Sequence, residues 1–174
     1  MFDAVGSVVH TLPEGKTVWA LTLLDNLLYV LRSKSSKQIK VYDTHSYRLQ
    51  RRLTVQGLDA KSDMTACAHN VCLYISGGYD KCIHRVALSG VNVTKWPVND
   101  VAISLSVTDT HFVLVTCPVA QKIKEFTIHG QLLREIDLPQ DVVSPFHAIQ
   151  LPSGEFVVCH GGYTDPAHRV SDRF

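Results

Sequence analysis

Side chains of the types that bind zinc cluster in the second quarter of the sequence. They are Cys67, His69, Cys72, Cys82 and His84. Structural zinc sites usually show two cysteines two to four residues apart, together with a matching second pair. Here the spacings are Cys-x-His and Cys-x4-Cys, followed by a second Cys-x-His at Cys82 and His84, and a second pair of closely spaced cysteines is missing. The pattern therefore favours buried thiols and histidines at strand ends, with zinc binding as the alternative, and no metal-binding residue is assigned.

A second group of chemically reactive side chains lies in the last quarter of the chain. It consists of His147, Cys159, His160, Asp165 and His168. A cysteine, a histidine and an aspartate can form a nucleophile with its base and an orienting group. However, Cys159 ends the apolar run 156–159, and strand alternation turns its neighbour His160 to the opposite face. We therefore predict structural roles for this group and assign no catalytic residue.

Positive charge is concentrated in one stretch of the first half, although the net charge of the chain is only +1. The stretch contains Lys34, Lys37, Lys40, Arg48, Arg51 and Arg52, interleaved with Tyr42 and Tyr47. Cationic side chains bind phosphates, and aromatic rings stack on bases. These are the predicted nucleic-acid-binding residues, because the rest of the chain does not repeat the pattern. The alternative is a solvated loop followed by an outer strand.

The elements that must position these side chains repeat about every 43 residues. Each repeat has a small residue within its first apolar segment, namely Ala20, Ala66, Ser104 and Ala148. A polar turn follows, then an apolar run such as 27–31, then a short alternating piece such as 39–42. Helical periodicity is almost absent, and short alternating runs indicate strands. A period of about 40 to 50 residues built from short strands is typical of β-propeller blades.

We therefore predict an all-β fold, a β-propeller-like domain over residues 1–174 with about four blades of four antiparallel strands. The predicted blades cover about 18–63, 64–102, 103–145 and 146–170. The last blade is expected to be incomplete, or to be closed by an extra strand at residues 5–12. The small residues are expected near the axis, where inner strands converge. The alternative is a fragment of a larger ring.

Several segments resemble the blades of NHL-repeat proteins. The segments are KQIKVYD (37–43), DKCIHRV (80–86) and QKIKEF (121–126), in which a polar turn leads into Ile-x-x-aromatic or Ile-x-x-Val. Residues 144–161 are similar to segments of invertebrate NHL-containing proteins, including proteins of the tripartite-motif type. The resemblance covers most of residues 18–170, and the Gly-His and Trp-Asp signatures of WD40 blades are missing. It implies a six-bladed ring that serves as a binding platform for protein or RNA.

Bulk composition narrows the class of protein. With 45% hydrophobic and 19% charged residues, the 174-residue chain has the composition of a globular domain. A net charge of +1 gives no overall attraction to nucleic acid or membranes. No apolar run approaches 18 residues and no secretion signal is recognisable. The five cysteines are therefore expected to be reduced thiols in a cytoplasmic protein.

From these observations we predict a non-catalytic binding module with an unidentified protein partner. RNA binding through the basic first repeat is the alternative. A metal-dependent lyase is a remote alternative, because lyases of propeller fold place histidines near the axis and we expect His147 to form a hydrogen bond across it. We expect no cofactor and no membrane partner. Homodimerisation through an open propeller edge is a further expected way to close the ring.

Overall fold

Four antiparallel sheets make up the fold. A computed structural model describes residues 11, 17–32, 38–55, 58, 63–77, 80–89, 93–161 and 169–171. The first sheet contains β1 (Val18–Leu24), β2 (Leu27–Arg32), β3 (Gln38–Asp43) and β4 (Leu49–Thr54). The second contains β5 (Met64–Cys67), β6 (Cys72–Gly77), β7 (Cys82–Ala87) and β8 (Val93–Pro97). The third contains β9 (Ser104–Val107), β10 (Val113–Cys117), β11 (Lys122–Phe126) and β12 (Leu132–Asp137). The fourth contains β13 (Pro145–Gln150), β14 (Phe156–His160) and β15 (Arg169–Ser171).

The sheets follow one another like blades around an axis. Within each sheet the strands lie in chain order, so that β1, β5, β9 and β13 each form one edge. These four inner strands contact one another in sequence: β1 with β5, β5 with β9 and β9 with β13. The predicted all-β, propeller-like fold with about four blades is confirmed. In the described part of the chain the fourth sheet has three strands.

Apolar cores fill the spaces between consecutive sheets. The first core joins residues of the first sheet, such as Tyr29 and Ile39, to Leu73 and Ile75 of the second. A second core lies between the second and third sheets, and a third between the third and fourth. Burial of each large apolar side chain contributes roughly 1.5 to 3 kcal/mol. The second strand of each blade supplies much of this burial, as its apolar run predicts.

Short polar turns set the register of the hairpins. Asp25 and Asn26 connect β1 to β2 with φ angles of 48° and 58°. Aspartate and asparagine tolerate this left-handed conformation, and two such residues form the turn that best matches the twist of paired strands. The turn opposes Leu24 to Leu27 in the ladder. Consequently alternate residues of β1 face the inter-blade core.

Two predictions about the ends and the axis need comment. The expected strand at 5–12 lies outside the described residues, apart from Thr11. Of the four small residues expected at the axis, Ala66 and Ser104 line the axial cleft described below. Ala20 and Ala148 instead pack within the inter-blade cores. The reason is alternation, since their neighbours on the same strand point to the axis.

No membrane-spanning helix occurs among the residues that the structure describes.

Candidate functional site

A cleft of about 880 Å³ opens where the four inner strands meet. Its walls include the apolar side chains of Trp19 and Leu21 on β1 and of Ile149 on β13. Asp63, Ser104 and His147 supply polar groups to the same cleft. A concave site with apolar walls and a few convergent polar groups is the usual form of a small-ligand site.

Asp63 is held in place by its own blade and by the next one. Asp63 directly precedes β5, and its backbone N–H donates to Ser76 Oγ of β6 at 2.8 Å. Its Oδ2 atom accepts hydrogen bonds from Leu105 N at 2.9 Å and from Ser104 Oγ at 3.0 Å. A carboxylate anchored through its own backbone and by two donors has little freedom to rotate. Asp63 is thus a fixed acceptor within the cleft.

Ser104 connects this carboxylate to His147. The Ser104 hydroxyl is hydrogen-bonded to Nδ1 of His147 as well as to Asp63. A serine has one proton, and an ionised carboxylate can only accept, so the Ser104 proton is donated to Asp63. Nδ1 of His147 must then carry a proton and donate it to Ser104 Oγ. The chain of hydrogen bonds therefore selects the Nδ1–H form of the imidazole and leaves Nε2 without a proton in the neutral ring.

The apolar walls of the cleft are unusually exposed. On β1, Trp19 and Leu21 are 44% and 57% exposed, and Leu23 continues the same row. Ile149 is exposed on β13 at the other side of the cleft. These residues lie at alternate strand positions, opposite to the residues that enter the inter-blade cores. They form an apolar surface beside the polar groups.

Those predicted nucleic-acid-binding residues that the structure describes do not line this cleft. Lys34 and Lys37 lie outside the described residues. Lys40 lies on β3 directly opposite Arg52 on β4, so that these two cations share one face, whereas Arg51 lies on the other. Arg48, Arg51 and Arg52 are exposed. RNA binding by these residues stays a prediction.

The two tyrosines of the basic stretch differ in accessibility. Tyr47 lies half-buried in the turn between β3 and β4, with a φ angle of 55°. Tyr42 is only 4% exposed within β3. A ring buried to this extent has no free face for a base, so the stacking role predicted for Tyr42 does not fit its position.

The side chains weighed as zinc ligands are distributed among separate contacts. His84 is buried, and its Nε2 atom lies 2.9 Å from Oδ2 of Asp80. His69 stacks on His111 in the turn between β9 and β10, with ring centroids 4.0 Å apart. Cys67 and Cys72 are buried free thiols that oppose each other across β5 and β6. In the described part of the chain, no three histidine, cysteine or acidic side chains are arranged to hold a metal ion.

Three of the five residues of the last-quarter group, His147, Cys159 and His160, lie in the described part of the chain. Cys159 and His160 are half-buried on β14, while Asp165 and His168 lie outside the described residues. His147 forms the hydrogen bond across the inner strands that the sequence predicts. Its partner is Ser104, one of the small inner-strand residues. Sequence reasoning missed Asp63, because a single aspartate in a connecting segment carries no periodic signal.

Trp19 and Leu21 were also missed as cleft residues. The segment VWALTLL has apolar side chains at both odd and even positions. A strand with one solvated face is expected to alternate between apolar and polar residues instead. This two-sided pattern was the available signal for a second apolar surface.

No family model and no curated protein matches the sequence. Solved structures do match. A virginiamycin B lyase from Staphylococcus aureus has a TM-score of 0.72 at 12% identity, over 99% of this chain and 61% of that one. A protein of unknown function from Bacteroides caccae has a TM-score of 0.63 at 17% identity, over 98% and 65% of the two chains. Glutaminyl cyclase from Myxococcus xanthus has a TM-score of 0.60 at 12% identity, over 82% and 67%.

These similarities concern the fold, and the chain spans about three fifths to two thirds of the length of these structures. They support the propeller-like architecture, while the narrower NHL assignment stays a prediction. The prediction that the chain is not an enzyme is contradicted, because a lyase and a cyclase share this fold. The expectation relied on missing catalytic motifs, and a propeller assembles its sites from distant strands that leave no local motif. The chain is therefore a propeller-like protein whose fold is compatible with catalysis.

Proposed function

We propose that this chain binds a small, partly apolar molecule in the axial cleft. The observation that carries the proposal is the convergence of exposed apolar side chains and a fixed polar group in one concavity. Trp19 and Leu21 offer contact area on one side, and the Asp63–Ser104–His147 chain offers directional hydrogen bonding on the other. Pockets of roughly 300 to 1,000 Å³ suit small ligands, and this cleft has about 880 Å³.

Exposed apolar area alone supports a ligand site less strongly than its combination with polar groups. Single exposed apolar residues are common on protein surfaces. Here Trp19, Leu21 and Ile149 surround one concavity, and large aromatic and aliphatic side chains lose water when a ligand covers them. The fixed carboxylate and imidazole then favour ligands with a matching polar group.

Titration with 4-nitroanisole tests this proposal, with tryptophan fluorescence and ligand-observed NMR as readouts. Nitroaromatic molecules quench nearby indole rings, and Trp19 is the tryptophan in the cleft, whereas Trp96 is buried in the second core. We expect saturable quenching with a Kd near 1 mM, which corresponds to about −4 kcal/mol. Leu21→Arg should place a charged side chain in the cleft and weaken binding at least tenfold.

Leu133→Arg provides the matched control. Leu133 is also an exposed leucine, but it lies on the outer strand β12 and does not line the cleft. This variant should bind 4-nitroanisole like the wild type. Equal loss of binding in both variants, or no saturable binding by the wild type, contradicts the proposed site.

A further inference from the structure

We propose that His147 is the acid–base group of the axial cleft and that its Nε2 atom accepts a proton from an O–H group of the ligand. The inference rests on the proposed ligand site and adds the chemistry of the ligand, which is a hydroxyl compound acidic enough to share its proton with an imidazole. Ser104 and Asp63 are positioning residues, because they act through His147.

The arrangement of hydrogen bonds carries this assignment. Oδ2 of Asp63 accepts from Ser104 Oγ and from Leu105 N, so this oxygen is committed to holding Ser104 in place. Ser104 uses its single proton toward Asp63 and its oxygen toward Nδ1 of His147. No hydrogen bond joins Nε2 of His147 to another side chain among the described residues. Nε2 is therefore the basic atom of the imidazole that these hydrogen bonds leave available.

This order differs from that of a serine nucleophile with its base. In a serine nucleophile, the hydroxyl donates to the histidine and the histidine donates to the acid. Here the serine lies between the acid and the histidine, so its proton points to Asp63 and not to the base. Ser104 therefore fixes the orientation of His147. Nucleophilic attack by its oxygen would require the direction of both hydrogen bonds to reverse.

The proposed step moves one proton from the ligand hydroxyl to Nε2 of His147 and needs no other reactant. The O–H bond of the ligand breaks, its electron pair remains on the ligand oxygen, and an N–H bond forms at Nε2. His147 becomes an imidazolium that still donates its Nδ1 proton to Ser104, and Ser104 still donates to Asp63. The carboxylate lies one hydroxyl group away from the new positive charge. The bound anion forms its ion pair at Nε2.

The probe that tests the transfer is 4-nitrophenol, because its anion absorbs at a longer wavelength than the neutral molecule. We expect 4-nitrophenol bound to the full chain to ionise at a lower pH than the free compound, with an ionisation constant about tenfold larger. His147→Gln should remove this difference, while His129→Gln should keep it, because His129 lies in the exposed β11–β12 turn. Ionisation of the bound probe at the pH of the free probe overturns the inference.

The positioning roles have a spectroscopic signature of their own. Nitrogen-15 NMR of His147 should show the Nδ1–H tautomer in the neutral wild type. Ser104→Ala should abolish that preference and reduce the shift in probe ionisation, while Ser104→Thr, which retains the hydroxyl, should restore both. Asp63→Asn should act in the same direction, and Ser104→Ala remains decisive if Asp63→Asn fails to fold. An Nε2–H tautomer in the wild type overturns the assignment.

The control compound separates this inference from the ligand site itself. In 4-nitroanisole a methyl group replaces the acidic proton, so the compound tests the cleft without proton transfer. If 4-nitroanisole binds and bound 4-nitrophenol ionises like the free compound, the cleft stands and the role of His147 is wrong. If neither compound binds, the proposed ligand site is wrong.

Discussion

The two faces of the first inner strand show how one sequence pattern serves two purposes. On β1, Ala20 and Leu24 enter the core between the first and second sheets. On the other face, Trp19 and Leu21 line the axial cleft and Leu23 extends the row, and all three are exposed. Both faces are apolar, yet only the first is covered by a neighbouring sheet. Burial of the covered face therefore contributes to the stability of the fold. The cleft face contributes little to it and is the face that the proposed ligand would cover.

Leucine truncations on the two sides provide the largest test of this contrast. Leu73→Ala removes a fully buried side chain from the first core and should lower the free energy of unfolding by about 2 to 5 kcal/mol. Leu21→Ala removes an exposed side chain from the cleft and should change it by less than about 0.5 kcal/mol. Urea unfolding measures both values. Equal losses would show that the cleft face is packed in solution.

Two glycines in turns allow the same comparison between a covered and an open position. Gly130 and Gly154 have φ angles of 85° and 86°, so alanine is strained at either position. A Cβ on Gly130 would lie 2.4 Å from Cγ of Trp96, whereas nothing lies within 4 Å of a Cβ on Gly154. Gly130→Ala should therefore cost about 1 to 3 kcal/mol more than Gly154→Ala. Thermal melting of both variants measures the difference, and similar melting temperatures would place Trp96 away from that turn.

The buried thiol of Cys117, in the core between the second and third sheets, makes the free energy of unfolding depend on pH in the alkaline range. Burial, together with the nearby Asp100 carboxylate, raises the pKa of Cys117 to about 12. The unfolded thiol has a pKa of about 8.5, so it ionises first as pH rises and the folded state loses stability. Between pH 8 and pH 9.5 this loss should be on the order of 1 kcal/mol. Below pH 8 the contribution of Cys117 is fully present and constant.

Cysteine variants isolate this contribution. Cys117→Ala should lose less stability than the wild type between pH 8 and pH 9.5, although it starts from a lower value. Cys159→Ala is the matched control, because Cys159 is a free thiol that is only half-buried on β14. Urea unfolding at the two pH values gives the comparison. An unchanged pH dependence in Cys117→Ala would mean that another group causes the alkaline loss.

The smallest expected effect concerns the charged side chains of two outer strands, β12 and β4, and their role in RNA binding. On β12, Glu135 pairs with Lys122 at 2.8 Å and with Lys124 at 3.2 Å. On β4, Arg51 and Arg52 have no ion pair with another described residue. If the predicted RNA binding occurs, Arg51→Glu with Arg52→Glu should reduce the salt slope by about two units, one for each phosphate contact.

The paired charges supply the control for that measurement. Lys122→Glu reverses a charge of the same kind on β11, where it pairs with Glu135, and should leave the salt slope of RNA binding unchanged. Gel-shift titrations at several salt concentrations measure the slope. Absence of RNA binding by the wild type at low salt removes the RNA hypothesis and leaves the ligand cleft unaffected.

Much of the fold could be predicted because its signals are local. The apolar run at 27–31 and the alternating piece at 39–42 lie within β2 and β3, respectively. Turn residues such as Asp25 and Asn26 mark where a hairpin reverses, and the small residues mark the inner strand of each blade. These signals act between residues that are near neighbours in the chain. They do not report which side chains meet across blades.

The candidate site shows where this local information ends. His147 was predicted to form a hydrogen bond across the axis, but its partner was not identified. Asp63 and Ser104 are 41 residues apart, and Ser104 and His147 are 43 residues apart. Since each residue comes from a different blade, their contact depends on the angle between successive sheets. That angle is determined by the packing of the inter-blade cores.

The sequence by itself determined the strands, the turns and the repeated blade, because alternation, apolar runs and turn residues act over a few positions. It also determined which residues are small enough for an inner strand. Only the tertiary structure decided which apolar face of β1 is covered. It also decided which histidine is linked to a carboxylate by hydrogen bonds through a serine hydroxyl. Both depend on neighbouring blades packing at a fixed angle, so that side chains from distant repeats meet around one axis.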